Sequence, residues 1–201
     1  MKKINLIIVI VLSIACLSSC GASFTNKISK KDSIALTQNT IHKIDGTYQL
    51  NFSKRINSHS KTVYTGTRKN ESTVAHFILE QEIALHTFTP YVVDISIVSD
   101  TKIQFIFREE EHKNNVFATI TMNMELRNDG FIHLIELEEK KRKGVPFIFE
   151  SVYHKKLRIG VSHKGDLMIN HFIKSIGSVF FFAAGSASDE CLHYKKINTP
   201  L

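Results

Sequence analysis

The sequence predicts a mostly β protein: one antiparallel, up-and-down barrel of about ten strands, closed or partly open, with one helix between the first and second strands. Three observations carry this. Apolar residues alternate with mostly polar ones over short runs; in "VFATITMNMEL", Val116, Ala118, Ile120, Met122, Met124 and Leu126 fall on one side and Phe117, Thr119, Thr121, Asn123 and Glu125 on the other, the period of two that a half-buried strand requires. Compact turn sequences, Asn128-Asp129-Gly130 and Lys164-Gly165-Asp166, punctuate these runs. The connections are short, which favours neighbouring strands pairing in order within a sandwich or barrel.

The chain opens with Lys2 and Lys3, then an apolar run, Ile4 to Ala15, broken only by Asn5 and Ser13. A helix needs ~20 apolar residues to cross a bilayer; this shorter run fits the core of a secretory signal. Leu17-Ser18-Ser19-Cys20 resembles the lipobox of bacterial lipoprotein precursors, in which the chain is cut before the cysteine and the thiol takes a diacylglycerol. The resemblance implies that residues 1–19 are removed, that Cys20 becomes the lipidated first residue with palmitate-type chains, and that the protein is membrane-anchored in the cell envelope. Cys16 is the rival, but Ser13 stands where a lipobox has an aliphatic residue. Two or more acyl chains make such an anchor stable where one does not.

Residues 20–43 are polar and without sustained periodicity, and read as a lipidated flexible tether. Asp32-Ser33-Ile34 resembles an O-glycan acceptor motif of Bacteroidota. No acidic cluster of the kind resembling a Bacteroidota surface-export signal follows Cys20, which points to the periplasmic face of the outer membrane.

The domain is read from Ile44 to Leu201. In "GTYQLNF", Tyr48, Leu50 and Phe52 share one face. "IDGTYQL" resembles the Gly-x-(Trp/Tyr) opening of lipocalin-like barrels, which implies that Gly46 gives the tight entry and Tyr48 closes the barrel base. Residues 73–86 carry helical spacing, with Ser72 as N-cap. Strands follow at "YVVDISIV", "KIQFIFR" and "VFATITMNMEL", and five more at "VPFIFESVY", "KLRIGVS", "LMINHFI", "GSVFFFAA" and "LHYKKI". The runs 109–115 and 138–144 read as charged hairpin loops that suppress edge pairing. The segment 144–167 resembles one found in Bacteroidota lipoproteins and implies no activity.

Composition narrows the function classes. The formal charge is +7 with a pI near 9.3, yet the cations are scattered and not interleaved with aromatic residues, so nucleic acid is not an expected partner. Of three cysteines, only Cys191 lies in the domain, which excludes an internal disulfide and a C-x-x-C metal cluster; no base is seen beside it to activate the thiol. None of the ten histidines pairs with another at i, i+2 or i, i+4, so no metal and no cofactor are expected. G-x-S-x-G, H-E-x-x-H and phosphate-binding Gly loops are all missing from the sequence, and an enzyme is not expected.

Two functional readings remain. In the first, a small apolar ligand sits in a cavity lined by Phe105, Phe107, Ile120, Met122, His133 and His171, the two imidazoles being polar anchors on otherwise apolar faces. In the second, the interior is packed and the domain is a structural or protein-interaction module in the envelope. That reading predicts an exposed apolar patch at 178–185, "SVFFFAAG", where both strand faces are apolar.

Overall fold

Alternation decides the architecture: the central strands β5, β6 and β7 have one apolar side, and the sheet must curl to bury it. The computed structural model describes residues 24, 31–57, 63–65, 72–80, 89–145, 148–180 and 182–197. In chain order the strands are β1 (Ser33–Ile34), β2 (Gly46–Gln49), β3 (Lys54–Asn57), β4 (Val63–Thr65), β5 (Tyr91–Ser99), β6 (Lys102–Glu109), β7 (Val116–Leu126), β8 (Ile132–Leu134), β9 (Glu139–Val145), β10 (Phe149–Ser162), β11 (Leu167–Val179), β12 (Phe182–Tyr194) and β13 (Lys196–Ile197). Helix α1 (Val74–Leu79) lies between β4 and β5, and two single 3-10 turns precede β2 and β9.

The sheet order is β13-β2-β5-β6-β7-β8-β10-β11-β12-β3-β4, antiparallel throughout, with β1 and β9 also paired to β10. It is one antiparallel sheet curled into a half-barrel. β12 and β13 are separated by Lys195 alone, and they pair β3 and β2 respectively, so the chain links both ends of the strand order at the base.

The concave face is filled. Tyr48, Leu50, Val93, Ile95, Ile103, Phe105, Phe107, Met122, Ile132, Leu157, Ile169, Leu192 and Tyr194 form one buried cluster, and α1 adds Val74, Ala75, Phe77 and Ile78 to it. Thr73 caps α1, its hydroxyl accepting from His76 N at 3.1 Å; the expected cap, Ser72, instead accepts through its carbonyl from the Tyr194 hydroxyl at 2.8 Å.

Several elements differ from the sequence reading. The hairpin β3–β4 intervenes between the first long-patterned strand and the helix; its short runs, KRIN and VYT, carry too little alternation to be read. Residues 138–144, expected as a loop, form most of β9, paired from Glu139 to Val145 with β10. β9 is exposed on both faces over most of its length and so shows no burial pattern. Val145 belongs to β9, and from Phe149 to Ser162 the strands expected separately at "VPFIFESVY" and "KLRIGVS" are one continuous strand, β10.

The domain also begins earlier than Ile44. Leu36 and Ile41 join the core, β1 pairs Ser162 and Val161, and Phe24 is buried. Within the tether expected over 20–43, Phe24, Ser33, Leu36 and Ile41 are thus buried against the domain. Ser33 is buried in β1, which leaves no room for a glycan in this fold. Cys16, Cys20 and the signal segment lie outside the described residues. No described helix is long and apolar enough to cross a membrane.

The three longest strands overrun the half-barrel. β10, β11 and β12 hold 14, 13 and 13 residues, about 45 Å at ~3.3 Å per residue. Their far halves, with β9, project as an arm largely exposed on both faces.

Candidate functional site

The residues proposed for a ligand cavity do not converge on one. Phe105 and Phe107 on β6 and Met122 on β7 are buried in the packed core, with Ile120 packed against its edge. His171 on β11 also faces inward, opposite Leu157 and Glu190, with its ring edge-on to Phe77 at 5.1 Å. His133 lies on the other side of the sheet. On β8 it is Ile132 and Leu134 that point to the concave core, and the 3-10 turn at Ile135–Leu137 ends the alternation on which the sequence reading relied. The face shared by His133 with Ile135 and Leu137 therefore does not exist in the fold. Gly46 opens β2 at φ +150°, and Tyr48 is fully buried with its hydroxyl donating to the Ile44 carbonyl at 2.8 Å.

His171 is a polar group in an apolar place. Burial, aided by the positive charge of Lys155, pushes its imidazole down to about 4, and its Nε2 has no hydrogen-bond partner among the described residues. The folded state thus holds His171 neutral, whereas an unfolded chain binds the proton near pH 6.5. The stability this contributes is complete above pH 6.5 and is lost as pH falls from there towards 4. From pH 7 to pH 5 the loss is about 1–2 kcal/mol. Urea midpoints at the two pH values will show a smaller drop for His171→Leu than for the wild type; equal drops would remove His171 from the account.

The convex face carries a cluster that sequence patterning missed. Arg158 on β10 is 2% exposed. Its guanidinium lies between two rings, 4.0 Å from the centroid of Phe24 and 4.3 Å from that of Phe131, and donates to Asp129 Oδ2 at 2.6 Å. Asp129 also faces His133 Nε2 at 3.0 Å and accepts from Phe131 N at 3.1 Å. The other ring nitrogen of His133 stands 2.8 Å from Arg127 and 3.1 Å from Glu138. Burial pushes the Asp129 carboxyl up, but His133 and Arg158 outweigh it and hold it below the ordinary carboxylate value. Gly160 gives the Phe131 ring its seat: a Cβ there would come within 2.7 Å of the ring. Alternation with Leu157 and Ile159 points Arg158 away from the concave core; Phe24 then covers it, which no local pattern announces. The cluster clamps residue 24 onto the domain with ion pairs and ring contacts.

Cys191 is buried beside His193, Sγ to Nε2 3.7 Å. The i, i+2 spacing puts both on one strand face, a base the sequence reading missed. Burial pushes the thiol up to about 12 and lowers the imidazole, so both stay neutral and no thiolate forms. An open cleft of about 530 Å³ at the base, beside the Ser162–Asp166 turn, is lined by Lys54, His163, Lys164 and Lys195 among others. There Asp32 accepts from Lys54 at 3.1 Å, tying the N-terminal segment to β3.

The arm ends in an apolar tip. Val145, Ile148, Phe149, Val179, Phe180 and Phe182 are all about half exposed or more, Phe182 at 84%. The two turns that bear them are joined, Phe180 N donating to the Ile148 carbonyl at 2.8 Å. This includes the patch expected at 178–185.

These features define a class by fold alone: an antiparallel half-barrel with a packed concave face and a projecting β arm. No family model, curated protein or solved structure matches the chain.

Proposed function

We propose that this chain is a lipid-anchored protein of the bacterial cell envelope that works by contact through the tip of its arm, without catalysis. The anchor is Cys20, and the favoured location is the periplasmic face of the outer membrane. One observation carries the contact reading: six large apolar side chains stand exposed together at the end of a projecting arm, whereas single exposed apolar residues are ordinary. The filled concave face supports contact over ligand storage, since Ile103, Phe105 and Phe107 are fully buried in the core.

Two measurements test it in cells. Palmitate labelling is expected to vanish on Cys20→Ala and persist on Cys16→Ala; the reverse pattern would move the anchor to Cys16. A photo-crosslinking residue at Phe182 is expected to give adducts, and the same residue at Val98, exposed beyond the core on the β5–β6 hairpin, is not. If neither position yields an adduct, the tip makes no contact and the reading is wrong.

A further inference from the structure

The arm has two strand edges, and they differ in kind. One is β9, which carries Lys140, Lys141, Arg142 and Lys143 in succession. The other is the far half of β12. Among the described residues, the outer edge of β12 is paired only from Glu190 to His193, with β3. Every residue from Phe182 to Ala187 is exposed, and the span Phe182 to Ser188 reads FAAGSAS, without a charge or a proline. An open edge presents unpaired N–H and C=O groups, which folded proteins ordinarily guard with charge, above all lysine. β9 is guarded in that way and β12 is not.

A second copy of the chain fits the unguarded edge. The uncharged span is centred on Gly185. Two β12 strands related by a two-fold axis there would pair antiparallel, with Phe182 opposite Ser188, Ala183 opposite Ala187 and Ala184 opposite Ser186. Opposed residues then share a face, as the pleat requires, and no two charges stand opposite each other. The registers place Phe182 in one cross-strand row with Val145, Phe149 and Val179, and Ser188 in one row with Ile173. Across the junction, the apolar row of one arm therefore leads over Ser188 to Ile173 of the other, and Phe182, 84% exposed in the single chain, gains a neighbour.

The size is sufficient for a specific contact. A ladder over this span supplies about seven backbone hydrogen bonds. At one bond per 100–200 Å² of interface, that corresponds to an area on the order of 1,000 Å², where specific association begins. The guarded edge then limits growth of the arm sheet. With the two β12 edges joined, it ends in β9 on both sides, where the cations oppose another strand.

We infer that two copies of the chain associate through the far half of β12, Phe182 to Ser188, joining their arms into one continuous sheet centred on Gly185. The contact lies along the flank of the arm and stands apart from the contact reading of the tip, with which it shares Phe182.

The full lipidated chain in its own membrane is the material for the first test. Ala184→Cys combined with Ser186→Cys sets thiols opposite each other across the axis, at the ~4.5–5.5 Å between Cα atoms that a disulfide spans. Mild oxidation is expected to convert most of the chain into a species of twice its mass on a non-reducing gel. Lys141→Cys with Lys143→Cys, the same spacing on β9, is expected to give several-fold less. The second test is the dimer fraction of the detergent-solubilised chain by native mass spectrometry. Ala184→Lys with Ser186→Lys opposes like charges and is expected to lower that fraction several-fold, whereas Ala184→Lys with Ser186→Glu opposes unlike charges and is expected to restore it. All four positions are exposed, so these replacements do not endanger the fold. Equal bridging from β9 and β12 would overturn the inference, as would a dimer fraction that the two lysines leave unchanged or that glutamate does not restore. A bridged species containing a different protein would also overturn it. Photo-adducts at Phe182 in a chain that is monomeric by both tests would overturn it too, but would leave the contact reading standing.

Discussion

Asp129→Ala is expected to cost about 3–5 kcal/mol of folding stability, the range for taking away one partner of a buried ion pair. Asp129 lies in the turn between β7 and β8 and serves three groups at once: the Arg158 guanidinium at 2.6 Å, the His133 ring at 3.0 Å and the Phe131 amide at 3.1 Å. Without it, Arg158 keeps its charge at 2% exposure and loses its 2.6 Å hydrogen bond to a carboxylate. Asp129→Asn should fall between, since an amide oxygen can still receive the Phe131 amide but brings no charge. Combining Asp129→Ala with Arg158→Met should recover much of the loss, because the methionine stem can fill the slot between Phe24 and Phe131 without a charge to solvate. Urea unfolding of the four proteins checks this. An Ala variant within about 0.5 kcal/mol of wild type, as for ordinary surface positions, would show that the cluster contributes nothing. Because Arg158 and its rings hold Phe24, the Asp129→Ala variant should also release the N-terminal segment, read as faster proteolysis ahead of residue 31.

Phe105→Ala is the second large effect, about 3–5 kcal/mol, while Phe182→Ala should stay within about 0.5 kcal/mol of wild type. The two residues are chemically identical and differ only in place. Phe105 sits in the middle of β6, opposite Ile95 on β5 and Ile120 on β7, and is fully buried. Its removal leaves a void that the flanking strands, held by their ladders, close only in part. Phe182 stands at the arm tip, and losing it removes surface already in water. The comparison also weighs the two functional readings. A hollow barrel would present Phe105 to a cavity, and truncation there would cost far less than in a packed core. A loss below about 1.5 kcal/mol would favour the cavity. Chemical denaturation of both variants, followed by circular dichroism, is sufficient.

Alternation alone determined the fold class, most of the concave face and the punctuation of the central strands, because a one-sided sheet writes its burial into every second residue. β5, β6 and β7 follow their predicted faces, down to the buried Met122 and Met124. The same physics made β9 and the arm unreadable as continuous strands: where both faces meet solvent, no periodic pattern is needed, and KKRK looks like a loop. The apolar run at 178–185 was legible as exposed because both of its faces are apolar. His133, Arg158 and His193 were misread or passed over for the opposite reason. Their roles depend on residues far along the chain. The 3-10 turn at 135–137 sets the face of His133, and Phe24 comes back from the N-terminus to cover Arg158. Local spacing fixed which residues could share a face. Only the tertiary structure decided which face was covered, by what, and where apolar side chains were left exposed, because burial depends on contacts between segments that are remote in sequence.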